Sequence, residues 1–157
     1  MKPYVLFLVL SVMTTPALGD TAALARAHSE AFARAMNAQD VDSALALYAE
    51  DARVIWPGLG EEAQGKIAIR ALIDSTLKSF PKGSSLSLKS QDAISLGDGY
   101  ISTVSHWDQS YTRDDGAPAT ARVRATEIIR VTARASLCVV DHASFGRSAS
   151  ATGSSVA

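Results

Sequence analysis

The spacing of the apolar residues changes once along this chain, at Pro81-Lys82-Gly83, and that change dictates the class of fold. Before it, apolar residues recur every three to four positions, the period of an amphipathic helix. Leu24, Ala27, Ala31, Phe32, Ala35 and Met36 predict a helix over residues 21–37, broken at Asn37-Ala38-Gln39-Asp40. Asp40 or Asp42 then caps a short second helix that carries Ala44, Leu45, Leu47 and Tyr48. A short strand over residues 53–56 stops at Pro57-Gly58, and Ile69, Leu72, Ile73, Thr76, Leu77 and Phe80 predict a third helix over 66–79. After Gly83 the apolar residues alternate instead. One strand carries Leu86, Leu88 and Ile94 and ends at the turn Leu96-Gly97-Asp98-Gly99. Further strands are predicted over 100–111, 119–131 and 137–145, the first two joined through Arg113-Asp114-Asp115-Gly116. Helices first and antiparallel strands second make an α+β domain, with the helices on one face of the sheet.

The ends of the chain read differently from its middle. Lys2, the apolar run from Tyr4 to Met13, and the small residues Ala17 and Gly19 fit a secretory signal over residues 1–19. The run is about half of the ~20 residues that span a bilayer as a helix. The expected mature chain starts at Asp20, is periplasmic or secreted, and has no membrane segment. Residues 20–146 form one domain, enough for a single core. Residues 147–157, rich in Ser, Ala and Gly, are expected to be a disordered tail. Fifteen Lys and Arg against sixteen Asp and Glu leave no basic excess, which argues against nucleic-acid binding. Cys138 is the single cysteine, so no disulfide forms within the chain, and it is expected to be a buried strand residue.

Four segments carry a resemblance: residues 32–40, 46–57 with Leu47-Tyr48-Ala49-Glu50-Asp51-Ala52-Arg53-Val54-Ile55-Trp56-Pro57, Gly65-Lys66-Ile67-Ala68-Ile69-Arg70, and 124–146 with its closing Asp141-His142-Ala143-Ser144. Their order and spacing resemble the NTF2-like superfamily, whose members include SnoaL-like and ketosteroid-isomerase-like proteins. The resemblance implies a cystatin-like cone, in which three N-terminal helices pack on a curved antiparallel sheet around one deep pocket. It covers residues 23–145. Thr132-Ala133-Arg134-Ala135-Ser136 departs from it, standing where relatives often have an Asp-Gly turn. Without Gly a tight turn of positive φ is strained, so a looser corner or shorter strands are expected there.

A second departure concerns chemistry. Ketosteroid isomerases use a strand-borne Asp as base, with a Tyr and a protonated Asp holding the enolate oxygen. Alignment places Trp56 at the base position, Phe32 at the Tyr position and Glu127 at the second acid. Two of those groups are apolar here, which argues against steroid isomerisation. Glu127 is the leading acid/base candidate, expected to point into the cone with Ala125 and Ile129, where apolar surroundings would raise its pKa. Its alternative is an ion pair with Arg122, Arg124 or Arg130. The same alignment turns Val104, His106 and Asp108 inward, making His106 a partner for Glu127. Trp107 then faces outward, on a sheet face suited to a homodimer contact. Asp141 and His142 are adjacent on one strand, so only one can enter the pocket; both are kept as candidates.

Phe32, Met36, Tyr48 and Trp56 are expected to line or floor the cavity together with Val104. His28 is expected on the surface. The three histidines show no metal-ligand spacing, and neither a phosphate-cradling glycine loop nor a Gly-x-Ser-x-Gly elbow occurs, so neither metal nor cofactor is expected. Two functions stay open. One is an exported protein that binds a small apolar or amphipathic molecule in its cone. The other is a cofactor-independent isomerase, cyclase or hydrolase using Glu127 with a histidine.

Overall fold

The computed structural model describes residues 18–57, 61–81 and 83–146; the expected signal segment up to Ala17 and the tail from Arg147 lie outside them. Among the described residues no helix is long and apolar enough to cross a membrane. Helix α1 spans Leu18–Asn37 and α2 spans Val41–Ala46. Asp40 is the N-cap of α2: its side chain accepts from the backbone N–H of Ser43 at 3.0 Å, satisfying a donor of the first turn. Strands β1 (Tyr48–Ile55) and β2 (Glu62–Gln64) follow, then α3 (Gly65–Ser79). The four remaining strands are β3 (Ser85–Gly97), β4 (Tyr100–Thr112), β5 (Pro118–Val131) and β6 (Ser136–Phe145).

All six strands share one sheet in the order β2-β1-β6-β5-β4-β3. Two differences from the sequence expectation matter. Tyr48 opens a strand instead of closing a helix, so β1 is eight residues long and β2 pairs with it. The sheet is mixed, because β1 runs parallel to β6 while the other pairs are antiparallel. The hairpins of β3 to β6 bring the last strand back beside the first, and the crossover between β1 and β6 is what makes that pair parallel. Register shifts in β3, at the β5–β6 pair and within β1 bend the strands, curving the sheet into the wall of a cone.

The helices close the concave side. Helix α3 lays Ile69, Leu72, Ile73 and Leu77 on β1, and α1 crosses β3. The core joins these to Ala44, Ala49, Ala52 and Val54. A smaller cluster of Ala25, Ile101 and Ile129 sits at the α1 end of β4 and β5.

The corner at residues 132–135 is not strained. None of its residues has positive φ, and β5 and β6 run the full predicted lengths on either side. The Thr132 hydroxyl takes over from a glycine turn: it accepts from the N–H of Arg134 and Ala135 and donates to Ala135 O at 3.1 Å.

Candidate functional site

The site is built on one row of residues crossing the concave face. Thr103 of β4 lies opposite Glu127 of β5, and Glu127 lies opposite Asp141 of β6. Residues directly opposite on neighbouring strands hold their Cβ atoms about 4.5–5.5 Å apart, so the two carboxyls stand side by side. Both are deeply buried, with 8 % of Glu127 and 5 % of Asp141 exposed. Ala125 and Ile129 face the same way, as strand alternation predicts for Glu127. Among the described residues no arginine pairs with it. The Thr103 hydroxyl donates to Glu127 Oε2 at 3.1 Å. Asp141 Oδ2 accepts two bonds from β1 and its end, from the Tyr48 hydroxyl at 2.8 Å and from Trp56 Nε1 at 2.7 Å.

These partners divide one proton between the two acids. Burial, and then the neighbouring Asp141 charge, push the Glu127 pKa up to about 8, against a smaller opposing pull from the Thr103 hydrogen bond. Burial raises Asp141 as well, but its two hydrogen bonds from Trp56 and Tyr48 favour the anion. The asymmetry favours the pair's shared proton on Glu127 and its charge on Asp141. Burial and the same carboxylate push the Tyr48 hydroxyl well above its ordinary value, so it remains a donor.

Above the pair is a cavity of about 100 Å³, open at one side and walled mainly by Phe32, Trp56, Phe80, Trp107, Val123 and Phe145. Phe32 stands at its centre, nearly perpendicular to Trp56 (5.9 Å between ring centroids), Tyr48 (6.3 Å) and Trp107 (6.4 Å). The edge-to-face geometry fixes the walls. Trp107 Nε1 is spent on Ser105 Oγ at 2.8 Å and Trp56 Nε1 on Asp141, so both indoles turn their polar edges to the sheet.

The structure sorts the sequence candidates. Glu127, Asp141, Phe32, Met36 and Trp56 line the cavity, while Tyr48 does not line it and instead donates its hydroxyl to Asp141. Three expectations fail through one cause, the parity of β4. Thr103, Ser105 and Trp107 face inward, so Val104 is 46 % exposed, His106 is exposed, and Trp107 is 5 % exposed inside the cone. His106 Nδ1 lies 3.3 Å from Ser90 Oγ on the outer face, with no access to Glu127. Trp107 is not a dimer contact. His142 is likewise exposed on the outer face, opposite Thr126, while its neighbour Asp141 enters the pocket. His28 is buried, not on the surface: its Nδ1 lies 3.1 Å from Ser136 O, and burial holds its pKa below the usual histidine range. Sequence reasoning missed Thr103 and the indole N–H of Trp56, since neither small hydroxyls in strands nor a wall aromatic announces a polar role. Among the described residues no group of three His, Cys, Asp or Glu could hold a metal ion.

Three helices on a curved mixed sheet, with an aromatic pocket at the open end of the cone, define a protein of the NTF2-like class. The SnoaL-like domain family matches residues 29–137, and the chain belongs to that family. Solved structures agree on the fold. An NTF2-like protein with a cystatin-like fold from Novosphingobium aromaticivorans superposes with a TM-score of 0.69 at 18% identity, covering 87% of this chain and 86% of that one. A ketosteroid isomerase-like protein from Erwinia carotovora atroseptica gives 0.66 at 18% identity, over 80% and 96%. The beta subunit of the benzoate 1,2-dioxygenase from Burkholderia mallei gives 0.67 at 14% identity, over 85% and 93%. No curated protein matches the sequence.

Proposed function

We propose that this SnoaL-like protein holds a compact, largely apolar small molecule in its cone and that the Glu127–Asp141 pair moves a proton on it. The observation that carries the reading is the pair itself: two carboxyls side by side under an aromatic cavity, with hydrogen bonds that favour the charge on Asp141 and burial that favours the proton on Glu127. Environments that drive two carboxyls apart in pKa assign an acid and a base. Glu127 is the donor and Asp141 the acceptor, and no histidine takes part. Binding without turnover is the second reading, favoured by the modest cavity of about 100 Å³.

Two tests separate them. A bound ligand raises stability by RT ln(1 + [L]/Kd), so thermal shifts against small aromatic and alicyclic ketones, alcohols and amines identify occupants. Each occupant is then incubated with the protein in D2O and weighed. Deuterium uptake that Glu127→Gln and Asp141→Asn both abolish supports proton transfer. Binding without uptake leaves a carrier. The proposal extends to export of the mature chain from Asp20, supported by the sequence pattern of residues 1–19. It extends also to self-association through the outer sheet face, where Ile55, Ile94, Val104 and Val140 are exposed. Sedimentation of native protein against Val104→Lys reads that contact.

A further inference from the structure

The pocket has an unbalanced charge. Glu127 and Asp141 are the charged residues among those lining it, and no Lys, Arg or His joins them there among the described residues. The described residues donate to one oxygen of each carboxyl. Glu127 Oε2 takes the Thr103 hydroxyl and Asp141 Oδ2 takes both Tyr48 and Trp56. Glu127 Oε1 and Asp141 Oδ1 have no hydrogen-bond donor among the described residues, although both side chains are more than nine-tenths buried. A carboxylate in such a place depends on whatever water the open side admits. A neutral apolar ligand would expel that water and leave the charge uncovered, which opposes binding. A ligand that brings its own positive charge and N–H donors turns the same desolvation into attraction.

Resting on the reading of this cavity as a ligand site, we propose that its ligand is a protonated primary or secondary amine on a small apolar body. The ammonium sits between Glu127 Oε1 and Asp141 Oδ1 and donates to them, and the body packs among Phe32, Trp56 and Trp107. Aromatic walls add cation–π attraction, strongest for indole. A quaternary ammonium would gain that attraction but could donate nothing to the two open oxygens. A cavity of about 100 Å³ takes the charged head and a compact body, and any longer substituent leaves past Phe145 at the mouth. The cation also draws the remaining proton off the pair, so binding releases a proton and strengthens as pH rises; an amine so held is a bound ligand, since Glu127 then has no proton to donate to it.

The test is calorimetric titration of the native protein with benzylamine and with benzyl alcohol, its uncharged near-isostere, at pH 6, 7 and 8. The expected result is at least tenfold tighter binding of benzylamine at pH 7, with the preference growing toward pH 8. Heats measured in two buffers of different ionisation enthalpy should show proton release. In Glu127→Gln, benzylamine still binds and the pH dependence flattens, because Asp141 keeps its charge. Where Asp141→Asn folds, it loses the preference for the amine. Benzyl alcohol bound as tightly as benzylamine by the native protein overturns the inference while leaving the pocket reading intact. An amine preference that survives in folded Asp141→Asn overturns it too. Binding of neither probe overturns this inference; if every compound of the thermal-shift screen also fails, the pocket reading falls with it.

Discussion

At the scale of single residues, burial raises both carboxyls, hydrogen bonds from Trp56 and Tyr48 favour the anion at Asp141, and each effect has a measurable cost. Removing the Tyr48 hydroxyl leaves Asp141 with Trp56 alone. A hydrogen bond to a charged group contributes about 1.5–3 kcal/mol, so Tyr48→Phe should lose about that much in urea unfolding at pH 7.5. The loss should shrink at pH 4, where the protonated carboxyl needs the donor less; an equal loss at both would mean that Asp141 is not ionised. Glu127 gives the opposite pH sign. Its folded pKa of about 8 lies above the unfolded value near 4.5, so the folded protein binds the extra proton between those limits. Stability therefore falls as pH rises through that window, by up to about 1.4 kcal/mol per pH unit from this group. Glu127→Gln should flatten the curve of melting temperature against pH from 5 to 8 and be the more stable protein at the alkaline end. Parallel curves would refute the assignment. Glu127 was legible through the family resemblance, which sets it at the second acid position, and strand alternation then groups it with Ala125 and Ile129. The partners of Asp141 were not, since tyrosine and tryptophan in a core read first as bulk.

At the scale of elements, the turns set the register that composition could not. Every β4–β5 pair is symmetric about the Arg113–Ala117 loop, which is closed by Arg113 N to Ala117 O at 2.9 Å. That symmetry puts Thr103 opposite Glu127 and so turns Trp107 inward. The alignment misplaced the face of β4, and alternation could not correct it, because the inward set includes Thr103 and Ser105, polar residues that serve Glu127 and Trp107. The helices and the hairpin strands were plain from period, while parallel pairing of β1 with β6 joins segments too distant for any local signal. The β3–β4 turn is tighter still. Asp98 and Gly99 both have positive φ, and a Cβ on Gly99 would lie 2.8 Å from Val131 O. Gly97 also has positive φ but open space around its Cβ position. Gly99→Ala should thus cost more than about 1 kcal/mol and exceed Gly97→Ala, as measured by denaturant midpoints. Similar losses would show that backbone strain alone matters. Where α1 ends, Asn37 acts as a substitute strand: its amide donates to Leu86 O at 2.9 Å and accepts from Leu86 N at 2.7 Å. Asn37→Asp keeps the acceptor and loses the donor. It should cost about 1–2 kcal/mol and raise hydrogen exchange at Leu86.

At the scale of the whole molecule, β6 lies between β1 and β5, so the first and last parts of the described domain meet at one strand. Cys138 marks that meeting. It pairs in register with Tyr48 on one side and Ile129 on the other, and its backbone N–H donates to Leu47 O at 2.8 Å. Only 1 % of it is exposed. Burial, and then the nearby Asp141 charge, push its thiol well above the ordinary range, so the reactive thiolate is suppressed along with access. Its side chain packs in the core beneath the helices, so a reagent reaches it only when that core opens. Because native domains have stabilities of about 5–15 kcal/mol, labelling by an aromatic disulfide reagent should be slowed at least about 10³-fold relative to unfolded chain. Its dependence on denaturant should match that of global unfolding followed by tryptophan fluorescence. A shallower dependence would mean that the core over β6 opens without global unfolding, and the cone would then be two cooperative units. A matched dependence makes the carboxyl pair as rigid as the fold, since Asp141 rides on the same strand three residues along.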